Sequence, residues 1–348
     1  MMEQIKLMQF SPGSGCGCKI SPKDLELIIK NINNPFIDKR LLVGNGSKDD
    51  AAVIDLENAQ ALISTTDFFT PIVDNAYEFG YISAVNAISD IYAMGGKPLL
   101  AISILCWPLS KIPASLAHDV IMGATDACAE AGINLAGGHS IDIPTPIFGL
   151  AVNGIIKKEN IKQNNTATAN CSIFLTKPLG IGILSTALKK GLLNAEDLKI
   201  AMQWMKTLNK AGQILGKLKY VKAMTDVTGF GLGGHLLEIC ESSNINAEIN
   251  FSAIPLINGL NKYIEQKTIP GGTNRNFESY GSKISTMTDY IKTIICDPQT
   301  SGGLLLIVEE EKQNEVLKIA LENNFFIKQI GKTFKRNNDE NGCYLFIK

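Results

Sequence analysis

Long unbroken apolar runs are missing from this chain of 348 residues. The longest, residues 99–107, is interrupted by Ser103 and is far shorter than the roughly 20 residues that span a bilayer. Residues 1–10 alternate charged and apolar side chains and hold no signal-peptide core. Charge of one sign is missing too. With 33 basic against 34 acidic residues the net charge is -1, and no long basic run occurs. Membrane association and direct nucleic-acid binding are therefore not expected, and any phosphate must be met locally by metal ions, backbone N–H groups and single lysines. Clustered cysteine is scarce. Of eight, only Cys16 and Cys18 are neighbours; the other six lie scattered among apolar residues and read as small buried hydrophobes, not as a disulfide framework. A reducing cytoplasm fits that usage.

Two nucleotide-binding signatures are absent despite lookalikes. Gly229-Phe-Gly231-Leu-Gly233-Gly234 matches G-x-G-x-x-G, but Asp226-Val-Thr stands between it and the preceding strand pattern, and the nearest downstream fit to the acidic position, Glu248, comes early. Those glycines read as a tight turn and a close-packed helix start. Gly212-Gln-Ile-Leu-Gly216-Lys217 is one residue short of a P-loop between its glycines and lacks the following Ser or Thr; it reads as amphipathic helix. ATP, if bound, is bound without a Walker motif.

What is present is globular: 45% hydrophobic and 19% charged residues, enough apolar material for a core in each of two domains. Strand-like segments occur at 51–55, 61–66, 99–107 and 147–156, with helical patterns at 23–31, 80–94 and 114–131. The polar stretch 157–170 reads as a domain boundary. Beyond it, strands are expected at 172–176, 221–225, 247–251, 293–295, 303–308, 325–330 and 343–347. Helices are expected at 181–190, 197–218, 233–241 and 316–321. Strands and helices do not alternate strictly, so the pattern gives two α+β domains and not one doubly wound sheet.

The informative residues are aspartates in unusual places. Asp49 and Asp50 precede a strand, Asp67 ends one, Asp90 sits inside an apolar helix, and Asp226 and Asp297 follow apolar runs. Carboxylates in such positions must be paired, hydrogen-bonded or metal-bound. Mg²⁺ takes oxygen ligands and commonly bridges carboxylates to substrate phosphates. Ser83, Asn86 and Asp90 share a helix face. Taken singly, Asp49 or Asp50 also reads as a turn residue and Asp90 as the solvent face of a surface helix. Gly137-Gly138-His139-Ser140, Gly180-Ile-Gly182, Gly271-Gly272 and Gly302-Gly303 can present N–H groups to phosphate, and each equally reads as a simple turn. His118 and His235 read as hydrogen-bonded structural residues. Residues 11–17 are too rich in glycine and serine to build a core and read as a mobile loop. In an exposed loop Cys16 and Cys18 have no packing role, and a neighbouring cation, Lys19, favours thiolate, so reactivity is expected of them.

These strings together resemble a known family. Gly15-Cys-Gly-Cys-Lys-Ile-Ser-Pro22, Asp49-Asp-Ala-Ala-Val53, Ile63-Ser-Thr-Thr-Asp-Phe-Phe69, Asn86-Ala-Ile-Ser-Asp-Ile-Tyr-Ala-Met-Gly-Gly-Lys-Pro98, Ala136-Gly-Gly-His-Ser140, Met224-Thr-Asp-Val-Thr-Gly-Phe-Gly231 and Cys296-Asp-Pro-Gln-Thr-Ser-Gly-Gly303 are similar to selenophosphate synthetases (selenide, water dikinases). That family belongs to the aminoimidazole-ribonucleotide-synthetase-like superfamily. The aspartate and glycine pattern is shared across the superfamily, and Cys-Gly-Cys-Lys singles out this family. The resemblance implies an α+β fold of two α/β-sandwich-type domains with a flexible glycine-rich N-terminal lid. The divisions are 1–48 (lid and lead-in), 49–156 (ATP binding and dimerisation) and 157–348 (C-terminal domain).

By the same resemblance the reaction converts ATP, selenide and water to selenophosphate, AMP and phosphate. Cys16 and Lys19 are the catalytic positions. Lys19, Ser47, Lys48, Asp49, Asp67 and Asp90 are nucleotide positions, as are Gly138, His139 and Ser140 supplied by the partner in a homodimer. Asp50, Asp90 and Asp226 are the Mg²⁺ ligands. Thiamin-monophosphate kinases and purine-biosynthesis synthetases are the nearest enzyme alternatives, and Cys16, Cys18 and Lys19 count against them. A non-catalytic thiol carrier of metal or selenium leaves the aspartate set unexplained.

Overall fold

A computed structural model describes residues 5–11, 13, 15–30, 36, 38–46, 48–336 and 342–348. Helix α1 (Pro22–Ile29) begins where sequence chemistry favours a start: the Ser21 hydroxyl accepts the Asp24 N–H at 3.2 Å and proline occupies the first helical position. Next come β1 (Leu41–Val43), β2 (Ala52–Asp55), β3 (Gln60–Phe69), α2 (Ala76–Ala93), β4 (Lys97–Cys106), α3 (Ala114–Glu130), β5 (Asn134–Ile141) and β6 (Ile147–Lys157). The six strands form one sheet in the order β1-β2-β3-β6-β4-β5, antiparallel throughout except for the β4–β5 pair.

One face of this sheet is covered by α2, and α3 packs on α2. Burial along β3 alternates as a strand with one covered face requires. Ala61, Ile63, Asp67 and Phe69 are buried, and Ser64, Thr66 and Phe68 are exposed. The alternation turns Thr65 and Asp67 toward the helix layer. The opposite face leaves Phe68, Leu100, Ile102 and Ile141 exposed.

α2 is buried over its whole length apart from Tyr77 and Glu78, and the Asn75 side chain caps its start by accepting the Glu78 N–H at 2.9 Å. A helix apolar all round belongs inside a protein. It crosses α3 with the two backbones touching. A Cβ on Gly80 would lie 1.8 Å from Val120 O, and one on Gly123 would lie 1.9 Å from Tyr77 O.

The second half contributes β7 (Cys171–Leu175), α4 (Ile181–Lys189), α5 (Ala195–Lys206), α6 (Ala211–Leu215), β8 (Val221–Asp226), α7 (Gly231–Ser243), β9 (Ile245–Ile249), α8 (Leu260–Glu265), α9 (Gly271–Tyr280), α10 (Asp289–Ile295), β10 (Leu304–Glu309), α11 (Gln313–Glu322), β11 (Lys328–Lys335) and β12 (Leu345–Ile347). Its sheet runs β12-β9-β11-β7-β10-β8, antiparallel except for β12–β9. β7 and β10 are buried on both faces. Leu232, Leu236, Ile294 and Ile295 of α7 and α10 join one core, while Leu215, Val316 and Ala93 join another. The halves also share apolar material directly: Ile183 and Leu184 of α4, Met205 of α5 and Leu260 of α8 belong to the same cluster as α2.

Several local expectations change. Residues 293–295 are the end of helix α10 and not a strand. Thr288 caps that helix by accepting the Ile291 N–H at 3.3 Å, and burial of Ile294 and Ile295 against α7 outweighs the β-propensity of Thr-Ile-Ile. The helix expected over 197–218 is two, α5 and α6, because the intervening Asn209 turns inward to bond Ser89 Oγ and Gly302 O, each at 2.8 Å. Gly137 and Gly138 lie in β5, and Gly271 and Gly272 open α9. The segment around Cys16 is seated: residues Gly15–Cys18 form a 3₁₀ turn with Cys16 in the apolar core.

Candidate functional site

The two halves meet at the C-terminal end of α2, and carboxylates from both arrive there. Asp50 comes from the lead into β2, Asp90 from α2 and Asp226 from the end of β8; one oxygen from each lies within 4.8 Å of the others. Neighbouring hydroxyls fix all three. Thr65 Oγ1 donates to Asp90 at 2.6 Å, Thr225 Oγ1 to Asp50 at 2.7 Å and Ser89 Oγ to Asp226 at 2.5 Å. Asp50 Oδ2 is buried and has no hydrogen-bond partner. Burial first, then the charge of Asp226 and of nearby aspartates, hold Asp50 and Asp90 well above the ordinary carboxylate range, and burial pushes Asp226 up as well.

Beside this cluster lies the N-terminal turn. Lys19 Nζ is 3.2 Å from Asp67 Oδ2, which also accepts from Asn86 Nδ2 at 2.6 Å. Asn86 Oδ1 in turn accepts from Cys16 Sγ at 3.4 Å and from the Ser301 N–H at 2.8 Å. The Cys16 N–H donates to Thr300 Oγ1 at 3.1 Å. Burial opposes the Lys19 charge, but Asp67 beside it, with Asp90 and Asp226 beyond, outweighs burial and keeps the ammonium protonated. Cys16 goes the other way from the sequence expectation. It is buried, and desolvation together with Asp67 raises its thiol far above the ordinary value despite Lys19 and Thr300. In this state the sulfur is a covered thiol and not an exposed thiolate.

A cavity of about 420 Å³ opens on Asp50. Apolar Leu25, Ile29 and Phe230 line it together with Gly44, Lys48, Asp49 and Thr65. Lys48 bonds Glu26 at 2.8 Å, and Asp49 accepts the Asn164 N–H at 2.6 Å, which ties the cavity wall to segment 157–170. Ser47 lies outside the described residues. Gly138, His139 and Ser140 are exposed on β5, at the edge of the sheet opposite β1, and so stand apart from the aspartate cluster within one chain.

Asp297, which sequence alone made comparable to Asp226, is elsewhere. Its Oδ2 accepts the Gly182 N–H at 3.1 Å, while Gln299 Oε1 accepts the N–H groups of Gly180 and Ile181, so the pair closes the start of α4. His235 lies 3.3 Å from Thr228 Oγ1 and 3.1 Å from Glu238 and stacks on Phe230, in keeping with a structural reading. Of the expected helix face, Asn86 and Asp90 point into the site, whereas Ser83 bonds back to Phe79 O at 2.7 Å. Sequence reasoning missed Thr65, Ser89, Thr225 and Thr300. Strand alternation from Asp67 could have found Thr65; no pattern marks the others.

Comparison with known proteins agrees with this architecture. The N-terminal domain family of AIR synthase related proteins matches residues 48–156, and their C-terminal domain family matches residues 168–341. Hydrogenase maturation protein HypE, solved in complex with ATP, has the same fold with a TM-score of 0.63 at 17% identity, covering 94% of this chain and 89% of that one. The class is therefore that of two-domain AIR synthase related proteins. Within it, the selenide, water dikinase of Pseudomonas putida is 54% identical over 336 residues, 97% of this chain and 98% of the relative, and that of Aeromonas salmonicida is 55% identical over 331 residues, 95% and 96% of the two. The chain belongs to the selenide, water dikinase family.

Proposed function

We infer that this protein is a phosphotransferase that makes selenophosphate from ATP, selenide and water, with AMP and orthophosphate as the other products. The observation that carries the site assignment is the convergence of Asp50, Asp90 and Asp226 from both halves beside Cys16, Lys19 and a cavity of about 420 Å³, within the roughly 300–1,000 Å³ of small-molecule sites.

The three carboxylates fit a hard divalent cation. Their ligand atoms are all oxygen, they are close together and buried at a cost, and Asp50 Oδ2 lacks any other partner. Asp50, Asp90 and Asp226 would hold Mg²⁺, which when bound supplies charge neutralisation for the polyphosphate. Lys19 meets phosphate as a point cation, held in place by Asp67. The Cys16 thiol, hydrogen-bonded to Asn86 Oδ1, orients the selenium nucleophile, which it matches in softness. Burial shields a substrate that is easily oxidised from bulk solvent.

Lys48, Asp49, Asp67 and Asp90 belong to the nucleotide site, with Gly138, His139 and Ser140 completing it from a second copy of the chain. The exposed apolar face carrying Phe68, Leu100 and Ile102 supports that homodimer. The chain divides at 1–48, 49–156 and 157–348; the two sheets falling on either side of segment 157–170 support the later boundary, while β1 of the lead-in already pairs into the first sheet. A cytoplasmic setting is supported by eight unpaired cysteines; among the described residues, no helix is long and apolar enough to cross a membrane.

Phosphorus NMR of the protein with ATP, Mg²⁺ and selenide tests the activity: selenophosphate and AMP should appear together. Selenide-independent conversion of ATP to ADP alone would refute it.

A further inference from the structure

The turn that carries Cys16 and Lys19 has little side chain of its own to anchor it. Gly13, Gly15 and Gly17 alternate with Cys16 and Cys18, and only Cys16 is buried in the core. Cys16 on Asn86, Cys18 on Thr70 and Lys19 on Asp67 hold the turn's inner side, and two cations of the C-terminal half grip its backbone from the other. Lys189, at the end of α4, donates to Ser11 O at 2.7 Å and to Gly13 O at 3.0 Å. Arg275 of α9 donates through Nη2 to Gly17 O at 2.7 Å. The carbonyls they hold lie on either side of Cys16. Neither cation forms an ion pair with a carboxylate among the described residues. Their charge is therefore directed at peptide oxygens, an acceptor that a charged donor binds more strongly than a neutral one does.

The seat beneath the turn is cut to fit. Gly15 has a φ of +49°, and a Cβ there would lie 2.5 Å from Ile72 Cδ1 and 2.6 Å from Thr300 Oγ1. On the facing side a Cβ on Gly229 would come within 2.8 Å of Cys16 O and 2.9 Å of Lys19 Cδ. A seat this close tolerates one placement of the turn, and the two cations pull the turn into it. They do so across a cavity of about 280 Å³, lined also by Ser185 and Thr186, so trimming either side chain disturbs no packed core.

We propose that Lys189 and Arg275 are positioning residues for the reaction, a latch by which the C-terminal half sets where Cys16 and Lys19 stand over the aspartate cluster. The link to turnover rests on the activity inferred above; the latch itself does not. Lys189→Ala, Arg275→Ala and the double variant are compared with Lys189→Arg and Arg275→Lys. The first readout is the rate at which iodoacetamide alkylates Cys16 in the absence of substrates, with Cys16 resolved from Cys18 by peptide fragmentation. The double alanine variant should react about tenfold faster or more, as a buried thiol does when its cover opens. The second readout is steady-state kinetics: KM for selenide and KM for ATP should each rise by about fivefold or more, because Cys16 meets the selenium and Lys19 the phosphate, and the conservative variants should recover most of the loss. Wild-type alkylation of Cys16 in the double variant overturns the latch, as does equal loss in the conservative and alanine variants. If the wild-type protein forms no AMP with selenide, the inferred activity fails, and the alkylation comparison still decides the latch.

Discussion

Asp226 shows how polar residues are used one at a time. It ends a buried strand, takes a hydrogen bond from Ser89 and faces two other carboxylates. Without a cation such a cluster stores repulsion, so changing one member relieves it while removing an oxygen the cation needs. Asp226→Asn should therefore keep or raise the melting temperature in chelator while lowering Mg²⁺-dependent AMP formation by about 100-fold or more; a variant with wild-type turnover would remove the carboxylate from the site. Lys177 poses the opposite case. It is buried, donates to Thr207 O at 2.6 Å and Ser301 O at 2.7 Å, and desolvation pulls its ammonium down to about 7. The folded chain then sheds this proton before the unfolded chain does, so above pH about 7 the unfolded state binds more protons and stability rises with pH. Lys177→Met should lack that rise: the melting temperature of the variant minus that of wild type should fall between pH 7 and 9 in a fluorescence melt, and a constant difference would mean Lys177 stays charged. The aspartates were legible because a carboxylate beside an apolar run is costly unless used. Lys177, Ser89 and Thr300 were not, because a buried lysine or hydroxyl satisfied by main-chain atoms, or by side chains more than 100 residues away as Ser89 is, leaves no pattern in the chain. Asp297 looked like Asp226 for the same reason Asp226 stood out; only the fold shows that it closes α4 instead.

Among elements, α2 decides most. Apolar residues three or four apart made it legible as a helix over 80–94, four residues short of its true start, and the spacing of Ser83, Asn86 and Asp90 made their common face legible. The closeness of its approach to α3 was not, since a glycine inside a helix reads only as a weak spot. Gly123→Ala should force a Cβ into Tyr77 O, 1.9 Å away, and push apart the pair that carries Asp90. Overpacking of this kind costs about 1–3 kcal/mol, so thermal unfolding should begin several degrees lower and AMP formation should fall with it. An unchanged melting curve would mean that α3 can slide freely. The segment around Cys16 shows the limit of reading by composition. Glycine content predicts mobility when a segment has no partner; here Thr70, Thr300 and Asn86 supply partners from more than 50 residues away in sequence. Residues 293–295 failed similarly, a β-branched run recruited into α10 by packing against α7.

For the whole molecule, the sequence showed two units and their family, while the strand orders and the shared core between the halves came only from the fold. The exposed face of the first sheet has its own consequence. Ile102→Glu places a charge amid Phe68 and Leu100, an arrangement that a buried interface rejects. Sedimentation velocity should show a monomer for the variant and a dimer for wild type, and AMP formation should drop because Gly138, His139 and Ser140 no longer reach a neighbour's nucleotide. A dimeric variant with full activity would move the interface elsewhere. The burial of α2 sets a tempo as well. Wedged between the first sheet, α3, α5, α6 and β8, it has no open side through which its amides could exchange with solvent short of global unfolding. In deuterium exchange its interior should be the last part of the chain to label, with and without ligands. Asp90 then rides on the slowest clock in the molecule, while Asp50 and Asp226 reach it from the lead into β2 and the end of β8.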